Sequence, residues 1–136
     1  MSRGKKSVLL VMVRHGETVA NVEGVYQGQG FDTALTAVGE MQAASAGQAL
    51  SGVLFSKFLC SDLARTRKTA EIIACQAGGI IPVDQFQYEV KLREKAFGVL
   101  EGFPREMTIE DAKKAIAERE GKLVEEVVDD KSESNL

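Results

Sequence analysis

Residues 8–18 read Val-Leu-Leu-Val-Met-Val-Arg-His-Gly-Glu-Thr, an apolar run that ends at a charged pair. The run from Val8 to Val13 is continuously apolar and rich in β-branched residues, which is typical of a strand buried on both faces of a parallel sheet. Ligands of such sheets bind beyond the carboxyl ends of the strands, where Arg14 and His15 fall. The segment therefore predicts a central strand with a binding site at its end.

The segments after residue 18 alternate between helical and strand patterns. Thr36 can cap a helix that continues to about Leu50, with four residues towards the core: Val38, Met41, Ala44 and Leu50. The other predicted elements are strands over 55–60, 80–83 and 90–93, a helix over 61–76 that Ser61-Asp62 caps, and a helix over 108–119. This alternation predicts an α/β fold with a mainly parallel sheet and flanking helices.

Composition and charge narrow the class of protein. The 136 residues carry 17 basic and 20 acidic side chains, a net charge of −3 that argues against a nucleic-acid-binding protein. The apolar run 8–13 is too short to span a membrane, so we expect no membrane partner. Cys60 and Cys75 form no disulfide framework and lack zinc-ligand spacing. We therefore expect a cytoplasmic protein with reduced thiols, and no residue pattern indicates a cofactor.

The sequence Arg14-His15-Gly16 contains the components of a site that accepts a phosphoryl group. A neutral imidazole is nucleophilic, and a neighbouring guanidinium disfavours its protonated form. Gly16 lacks a Cβ, so its backbone can approach a phosphate closely. Arg14 can bind two phosphate oxygens through its planar guanidinium. His15 is the one histidine of the chain, which excludes a site that needs two imidazoles from a single chain.

A second arginine is expected at the same edge of the sheet. Arg65 falls in the first turn of the helix that follows the strand over 55–60. A cation in the first turn of a helix opposes the macrodipole, so Arg65 breaks a local rule. Residues that break local rules are candidates for function, and a second guanidinium would complete an anion clamp.

Phosphoryl transfer to His15 also requires an acid. The transfer leaves an alkoxide, which takes its proton from a carboxylic acid beside the leaving oxygen. Three glutamates lie in or near the candidate segments: Glu17, Glu94 and Glu101. The residues alone do not choose among them.

Three segments together resemble the histidine phosphatase superfamily, whose members have the phosphoglycerate-mutase-like fold. They are V-R-H-G-E-T at 13–18, S-D-L-x-R-T at 61–66, and L-R-E with F-G-V-L-E-G within 92–102. The resemblance implies that His15 is the phosphohistidine nucleophile, that Glu94 donates and accepts the proton, and that no metal takes part. It also implies a phosphate site formed by Arg14, Asn21 and Arg65, and substrate contacts from Gln27 and Gly28.

Residues 25–36 are similar to the fructose-2,6-bisphosphatases of this superfamily. That similarity implies a small phosphorylated substrate such as fructose 2,6-bisphosphate, hydrolysed in opposition to glycolysis. Two alternatives stay open. A phosphoglycerate mutase has the same site but returns the phosphoryl group to a rebound intermediate. A catalytically impaired chain would bind phosphorylated ligands or serve in regulation without turnover.

The resemblance covers about residues 7–103, and it implies a second catalytic histidine late in the chain. No histidine follows His15. The absence of one such preorganised donor typically costs about 10²–10³ in rate. We therefore expect a partial histidine phosphatase domain over residues 1–124 that lacks its C-terminal strand, an acidic disordered tail over 125–136, and low activity of the chain alone.

Overall fold

The structure is a computed structural model that describes residues 6–78 and 83–129. The helices and strands of these residues are α1 (Val19–Glu23), α2 (Ala37–Ala49), β1 (Phe58–Cys60), α3 (Ala64–Gln76), β2 (Phe86–Tyr88) and α4 (Ile109–Glu120). Short 3-10 helices span Val83–Gln85, Val90–Leu92, Gly98–Leu100 and Val124–Glu126. The predicted α/β class, with a parallel sheet and flanking helices, is confirmed.

The sheet consists of β1 and β2, which run parallel with Phe58 opposite Phe86 and Cys60 opposite Tyr88. β1 occupies the end of the strand predicted over 55–60. β2 was not predicted, and the strand expected over 80–83 falls largely on residues 79–82, outside the described residues. The strand predicted over 90–93 is wrong, because Leu92 and Arg93 donate backbone hydrogen bonds to residues three positions earlier and form a 3-10 turn.

The apolar run from Val8 to Val13 is not a buried strand, so the prediction of a central strand is wrong. Its backbone pairs with no other strand in the part of the chain that the structure describes. Its side chains are exposed, for example by 91% at Val8 and 71% at Leu10. Apolar character predicts burial only where neighbouring elements cover the run, and the described residues leave this run largely uncovered.

Helices α2 and α3 pack against each other around a small apolar core. Its buried members are Ala43, Ile73, Ala74 and Ala77, with aromatic side chains of Phe55, Phe58 and Phe86 against them. The helices approach closely at Gly47, where an added Cβ would lie 2.7 Å from the carbonyl oxygen of Ile73. Backbones this close leave room only for small side chains between them, which is why three of the four buried core residues are alanines.

The predicted helix over 36–50 is confirmed, and Leu50 packs against the core as predicted, but the predicted burial of Val38 and Met41 is wrong. Thr36 caps α2 as expected, and its hydroxyl accepts a hydrogen bond from Gly39 N. Val38 and Met41 are exposed by 51% and 69%, whereas the buried residues of the helix are Gly39, Ala43 and Gly47. A hydrophobic pattern selects the largest apolar residues, while close helix packing selects the smallest.

A second apolar cluster forms around α4. Thr108 caps this helix and Gly121 ends it at a φ of 64°, in agreement with the prediction over 108–119. Ala112 and Ala117 pack with Val99 and with Val127, which is only 6% exposed. Residues 125–129 therefore differ from the disordered tail that was expected there, because Val127 supplies an apolar anchor within the acidic segment. Residues 130–136 lie outside the described residues.

The helices of the described residues are too short or too polar for a membrane span. None of the helices within residues 6–78 and 83–129 is long and apolar enough to cross a bilayer.

Candidate active site

A cavity of about 250 Å³ lies at the end of the apolar run. It is lined by every predicted site residue except Gly28, namely Arg14, His15, Asn21, Gln27, Arg65 and Glu94, and by three further residues, Tyr26, Phe97 and Arg105. A larger cavity of about 490 Å³ is lined by Arg93 and Glu101 among others; it contains no imidazole, and its one carboxylate, Glu101, accepts hydrogen bonds from three backbone N–H groups. The nucleophilic chemistry therefore belongs to the cavity at His15.

His15 is held in one orientation by its own neighbour. Its Nδ1 lies 2.7 Å from the carbonyl oxygen of Gly16. A carbonyl only accepts hydrogen bonds, so Nδ1 carries the proton and the lone pair is on Nε2. The ring is half-buried, with one nitrogen committed to the protein and the other available for attack.

The surroundings of His15 keep its imidazole neutral. Burial is the largest influence and lowers the pKa of His15 below its usual value, because a charged ring loses solvation. Arg65 and Arg14 lower this pKa further by repulsion of the imidazolium form, while the hydrogen bond to Gly16 and the charge of Asp32 oppose the shift. A neutral imidazole is the nucleophilic form.

Gly16 fixes the His15 segment between two helices. Its backbone N–H donates to the hydroxyl of Thr69 on α3 at 3.1 Å. On the other side, a Cβ at Gly16 would overlap the backbone of Gly39 in the first turn of α2. Only a glycine permits this approach, so Gly16 allows the His15 segment and α2 to pack closely. The predicted approach of its backbone to a phosphate stays a prediction.

Arg65 is placed in the first turn of α3 as predicted, and it is almost fully buried, at 2% exposure. Its Nη1 lies 2.9 Å from Asp32 Oδ1, and its Nη2 donates to the carbonyl of Gly28 at 3.0 Å. The carbonyl of Gly28 thus contacts Arg65, but Gly28 itself does not line the cavity. Its predicted contact with substrate stays a prediction.

The predicted cap of α3 is wrong. The carboxylate of Asp32, rather than Ser61-Asp62, accepts hydrogen bonds from the first backbone N–H groups of the helix, those of Ala64 and Arg65. Asp62 instead forms an ion pair with Arg93, which holds the pKa of Asp62 below its usual range. Residue 32 lies far from the helix in sequence, so a local capping pattern could not identify it.

Asn21 is oriented by the short helix α1. Its Oδ1 accepts from Thr18 N at 3.0 Å, and the Thr18 hydroxyl accepts from Asn21 N in return. Because Oδ1 is engaged, Nδ2 is the amide atom that can donate to a ligand in the cavity. This placement is compatible with the phosphate contact that the resemblance implies.

Gln27 is also held by the protein, although it lines the cavity. Its Nε2 donates to the Thr18 hydroxyl at 2.7 Å, and its Oε1 accepts from the backbone and hydroxyl of Thr33. The side chain is 8% exposed and ties the loop after α1 to the start of that helix. A direct substrate contact of Gln27 stays a prediction.

The three candidate acids have different surroundings. Glu17 accepts a hydrogen bond from the Thr36 hydroxyl at the start of α2. Glu101 accepts from the backbone N–H groups of Gln29, Gly30 and Phe97, and so holds a loop. Glu94 alone of the three lines the cavity with His15. The geometry therefore favours Glu94.

Three residues that line the cavity were missed by sequence reasoning. The Tyr26 hydroxyl donates to the carbonyl of Arg105 at 3.0 Å, and the Tyr26 and Phe97 rings lie 4.9 Å apart. Arg105 is exposed and adds a third guanidinium to the cavity, after Arg14 and Arg65. The sequence contains only a weak indication of Arg105 as a site residue, namely a single basic residue directly after Pro104.

The chain is similar to known proteins both in sequence and in structure. A family model described as the histidine phosphatase superfamily (branch 1) matches residues 10–134. The chain is 43% identical over 101 residues to the fructose-2,6-bisphosphatase TIGAR of Mus musculus, an alignment covering 70% of this chain and 35% of that protein. It is 46% identical over 90 residues to a probable phosphoglycerate mutase GpmB of Erwinia tasmaniensis, covering 66% and 39%.

The structural comparison agrees with the sequence comparison. The chain resembles a putative alpha-ribazole-5'-P phosphatase from Escherichia coli with a TM-score of 0.62 at 36% identity, covering 79% of this chain and 52% of that one. The chain thus spans 35% to 39% of the length of the two curated relatives, and about half of the solved structure.

Proposed function

The chain belongs to the histidine phosphatase superfamily, and we propose that its site transfers a phosphoryl group from a phosphate ester to His15 and then to water. One observation carries this proposal. The neutral imidazole of His15, with Nδ1 bound to the Gly16 carbonyl, lines a cavity together with Arg14, Arg65 and Glu94. A nucleophile, two phosphate-binding cations and an acid are the parts that the reaction requires.

In the first step, the Nε2 lone pair of His15 attacks phosphorus. The bond from Nε2 to phosphorus forms as the bond from phosphorus to the ester oxygen breaks. Arg14, Arg65 and the Asn21 amide donate to the phosphoryl oxygens and offset the charge that they carry during transfer. Glu94 gives its proton to the leaving oxygen, so the alcohol departs neutral.

In the second step, water takes the place of the departed alcohol. Glu94, now a carboxylate, removes a proton from the water as its oxygen attacks phosphorus. The bond from phosphorus to Nε2 breaks, and inorganic phosphate is released with His15 neutral again. Each group returns to its starting protonation state, so the site is ready for another cycle.

For the substrate we propose a sugar bisphosphate of the fructose 2,6-bisphosphate type. Two observations support this class. The 43% identical relative is named a fructose-2,6-bisphosphatase. Arg105 lines the same cavity as His15 and is available to bind a second anionic group. A substrate with two phosphates uses all three guanidinium groups of the cavity.

A phosphoglycerate mutase is the second candidate, because the chain is 46% identical to a probable mutase over 90 residues. The two activities share the first step and differ in what accepts the phosphoryl group from His15. Measuring both inorganic phosphate and isomerised phosphoglycerate separates them. Hydrolysis predicts that phosphate is released without isomerisation.

The experiment that tests the proposal is to trap the phosphorylated chain. After incubation with a sugar bisphosphate and rapid quenching, we expect acid-labile, base-stable phosphate on the chain and its loss in His15→Ala. Because His15 is the one histidine, every phosphohistidine must lie there. Label that persists in His15→Ala would refute the proposal, and ligand binding without any label would favour the catalytically impaired alternative.

A further inference from the structure

The buried guanidinium of Arg65 is held by two residues of the loop that joins α1 and α2, Gly28 and Asp32. Asp32 Oδ1 lies 2.9 Å from Nη1, and the Gly28 carbonyl accepts from Nη2 at 3.0 Å. The same Asp32 carboxylate accepts from the backbone of Ala64 and Arg65 at the start of α3. Asp32 therefore anchors both the helix and the side chain that the helix carries.

The third guanidinium nitrogen of Arg65, Nε, differs from Nη1 and Nη2 in its hydrogen bonding. Nε is buried and has no hydrogen-bond partner in the part of the chain that the structure describes. A buried donor without an acceptor is unfavourable and needs an explanation, such as a ligand that is bound only during function. Arg65 lines the His15 cavity, and phosphate oxygens are strong acceptors for a guanidinium.

We propose that Asp32 is a positioning residue, which fixes the Arg65 guanidinium at the wall of the His15 cavity and thereby strengthens the binding of a phosphate dianion. The inference rests on the proposed phosphoryl-transfer site. A guanidinium is planar, so two fixed terminal nitrogens determine the direction of the whole group. Asp32 acts through Arg65 and does not itself line the cavity.

Two effects of Asp32 on phosphate affinity have opposite signs, and this makes the proposal testable. Its negative charge repels an incoming dianion, so removal of the charge alone would strengthen phosphate binding. Its contact with Arg65 orients a donor, so removal of the contact would weaken phosphate binding. The proposal states that orientation outweighs repulsion.

The charge of Asp32 also acts on His15, and it raises the pKa of the imidazole while Arg65 lowers it. The other charged or titratable groups that line the cavity with His15 are Arg14, Tyr26, Glu94, and Arg105. Loss of the Asp32 charge should therefore lower the pKa of His15 further. Collapse of the site should do the reverse, because exposure removes the burial that depresses this pKa most.

The test compares the intact chain with Asp32→Asn, and uses Asp84→Asn, at an exposed aspartate, as the matched control. The proton NMR signal of the single imidazole gives the pKa of His15 in each variant. Calorimetric titration with inorganic phosphate gives the affinity. For Asp32→Asn we expect a lower His15 pKa and about tenfold weaker phosphate binding, while Asp84→Asn matches the intact chain.

Each other result has a defined meaning. Unchanged or tighter phosphate binding in Asp32→Asn would overturn the proposal, because the positioning of Arg65 would then not outweigh the repulsion by the Asp32 charge. A His15 pKa that rises towards its usual value would also overturn it, because the variant would then have lost the site. If the intact chain itself binds no phosphate, the proposed function fails together with this proposal, whereas phosphate binding by the intact chain with unchanged affinity in Asp32→Asn overturns this proposal alone.

A double-mutant comparison separates action through Arg65 from general stabilisation. In an Arg65→Ala background, the change Asp32→Asn should have little further effect on phosphate affinity, since the group that it positions is absent. Circular dichroism verifies that each variant is folded. An equal tenfold loss in both backgrounds would contradict a positioning role.

Discussion

At the scale of single residues, the protonation state of His15 controls the proposed chemistry. Burial, Arg65 and Arg14 lower its pKa, so Nε2 keeps its lone pair at a lower pH than a free imidazole does. We expect the acid limb of phosphoenzyme formation to lie below the ordinary histidine value of about 6.5. Quenched-flow rates measured across pH test this, and an acid limb at or above that value would contradict the assignment.

The same shift links folding stability to pH. The unfolded chain binds the His15 proton more tightly than the folded chain, so stability rises with pH in this range. We expect the contribution of His15 to be fully present above its ordinary pKa and to be lost as pH falls through the folded-state value. Chemical denaturation of the chain and of His15→Gln across this range isolates the contribution, which the variant should lack.

The role of Glu94 as the acid can be tested with a substrate whose leaving group departs without taking up a proton. In Glu94→Gln we expect phosphoenzyme formation from an alkyl phosphate to slow by about 10²–10⁴-fold, since the alkoxide then leaves without general-acid assistance. With p-nitrophenyl phosphate the loss should be much smaller, because the phenolate leaves unprotonated. Glu17→Gln is the matched control, as Glu17 lies outside the cavity lining. Equal losses with both substrates would exclude Glu94 as the acid.

The residues of the site differ in how well the sequence alone predicted them. Arg14 and His15 were predicted from the motif after the apolar run, Arg65 from the next segment, and Asn21 from the resemblance, and all four line one cavity. The residues alone did not choose between Glu94 and Glu101; the resemblance indicated Glu94, which lines the same cavity. Asp32 was missed because its partners lie more than thirty positions away.

At the scale of helices and strands, the site depends on close contacts between glycines. A Cβ at Gly39 would overlap the Glu17 carbonyl and lie 2.8 Å from Glu17 N. We expect Gly39→Ala to move the His15 segment away from α2 and to reduce the free energy of unfolding by about 1–3 kcal/mol. Urea denaturation measures this. Ser45→Ala, at an exposed position of the same helix, should change stability little, and an equal effect would contradict the packing argument.

Helices were predicted better than strands because their signals are local. A capping threonine marked the start of α2, and Thr36 caps that helix as expected. A strand instead needs a partner that a local pattern does not identify, so the run 8–13 and the segment 90–93 were assigned wrongly. β2 was missed for the same reason, because its partner β1 lies far from it in the sequence.

At the scale of the whole chain, the run 8–13 leaves large apolar side chains on the surface. Leu10 is 71% exposed, so we expect Leu10→Lys to reduce binding of a hydrophobic dye and to leave the free energy of unfolding within about 0.5 kcal/mol. Ile73→Lys, at a residue 7% exposed in the core, should unfold the chain. A destabilisation by Leu10→Lys comparable to that at Ile73 would mean that the run is buried.

The central claim is that His15 accepts a phosphoryl group on Nε2. It is tested most directly by heteronuclear NMR that correlates phosphorus with the imidazole nitrogens of the chain after exposure to p-nitrophenyl phosphate. We predict one phosphorus–nitrogen bond, at Nε2, because Nδ1 is committed to the Gly16 carbonyl. Phosphorus on Nδ1, phosphorus on another side chain, or a chain that remains unphosphorylated would contradict the account.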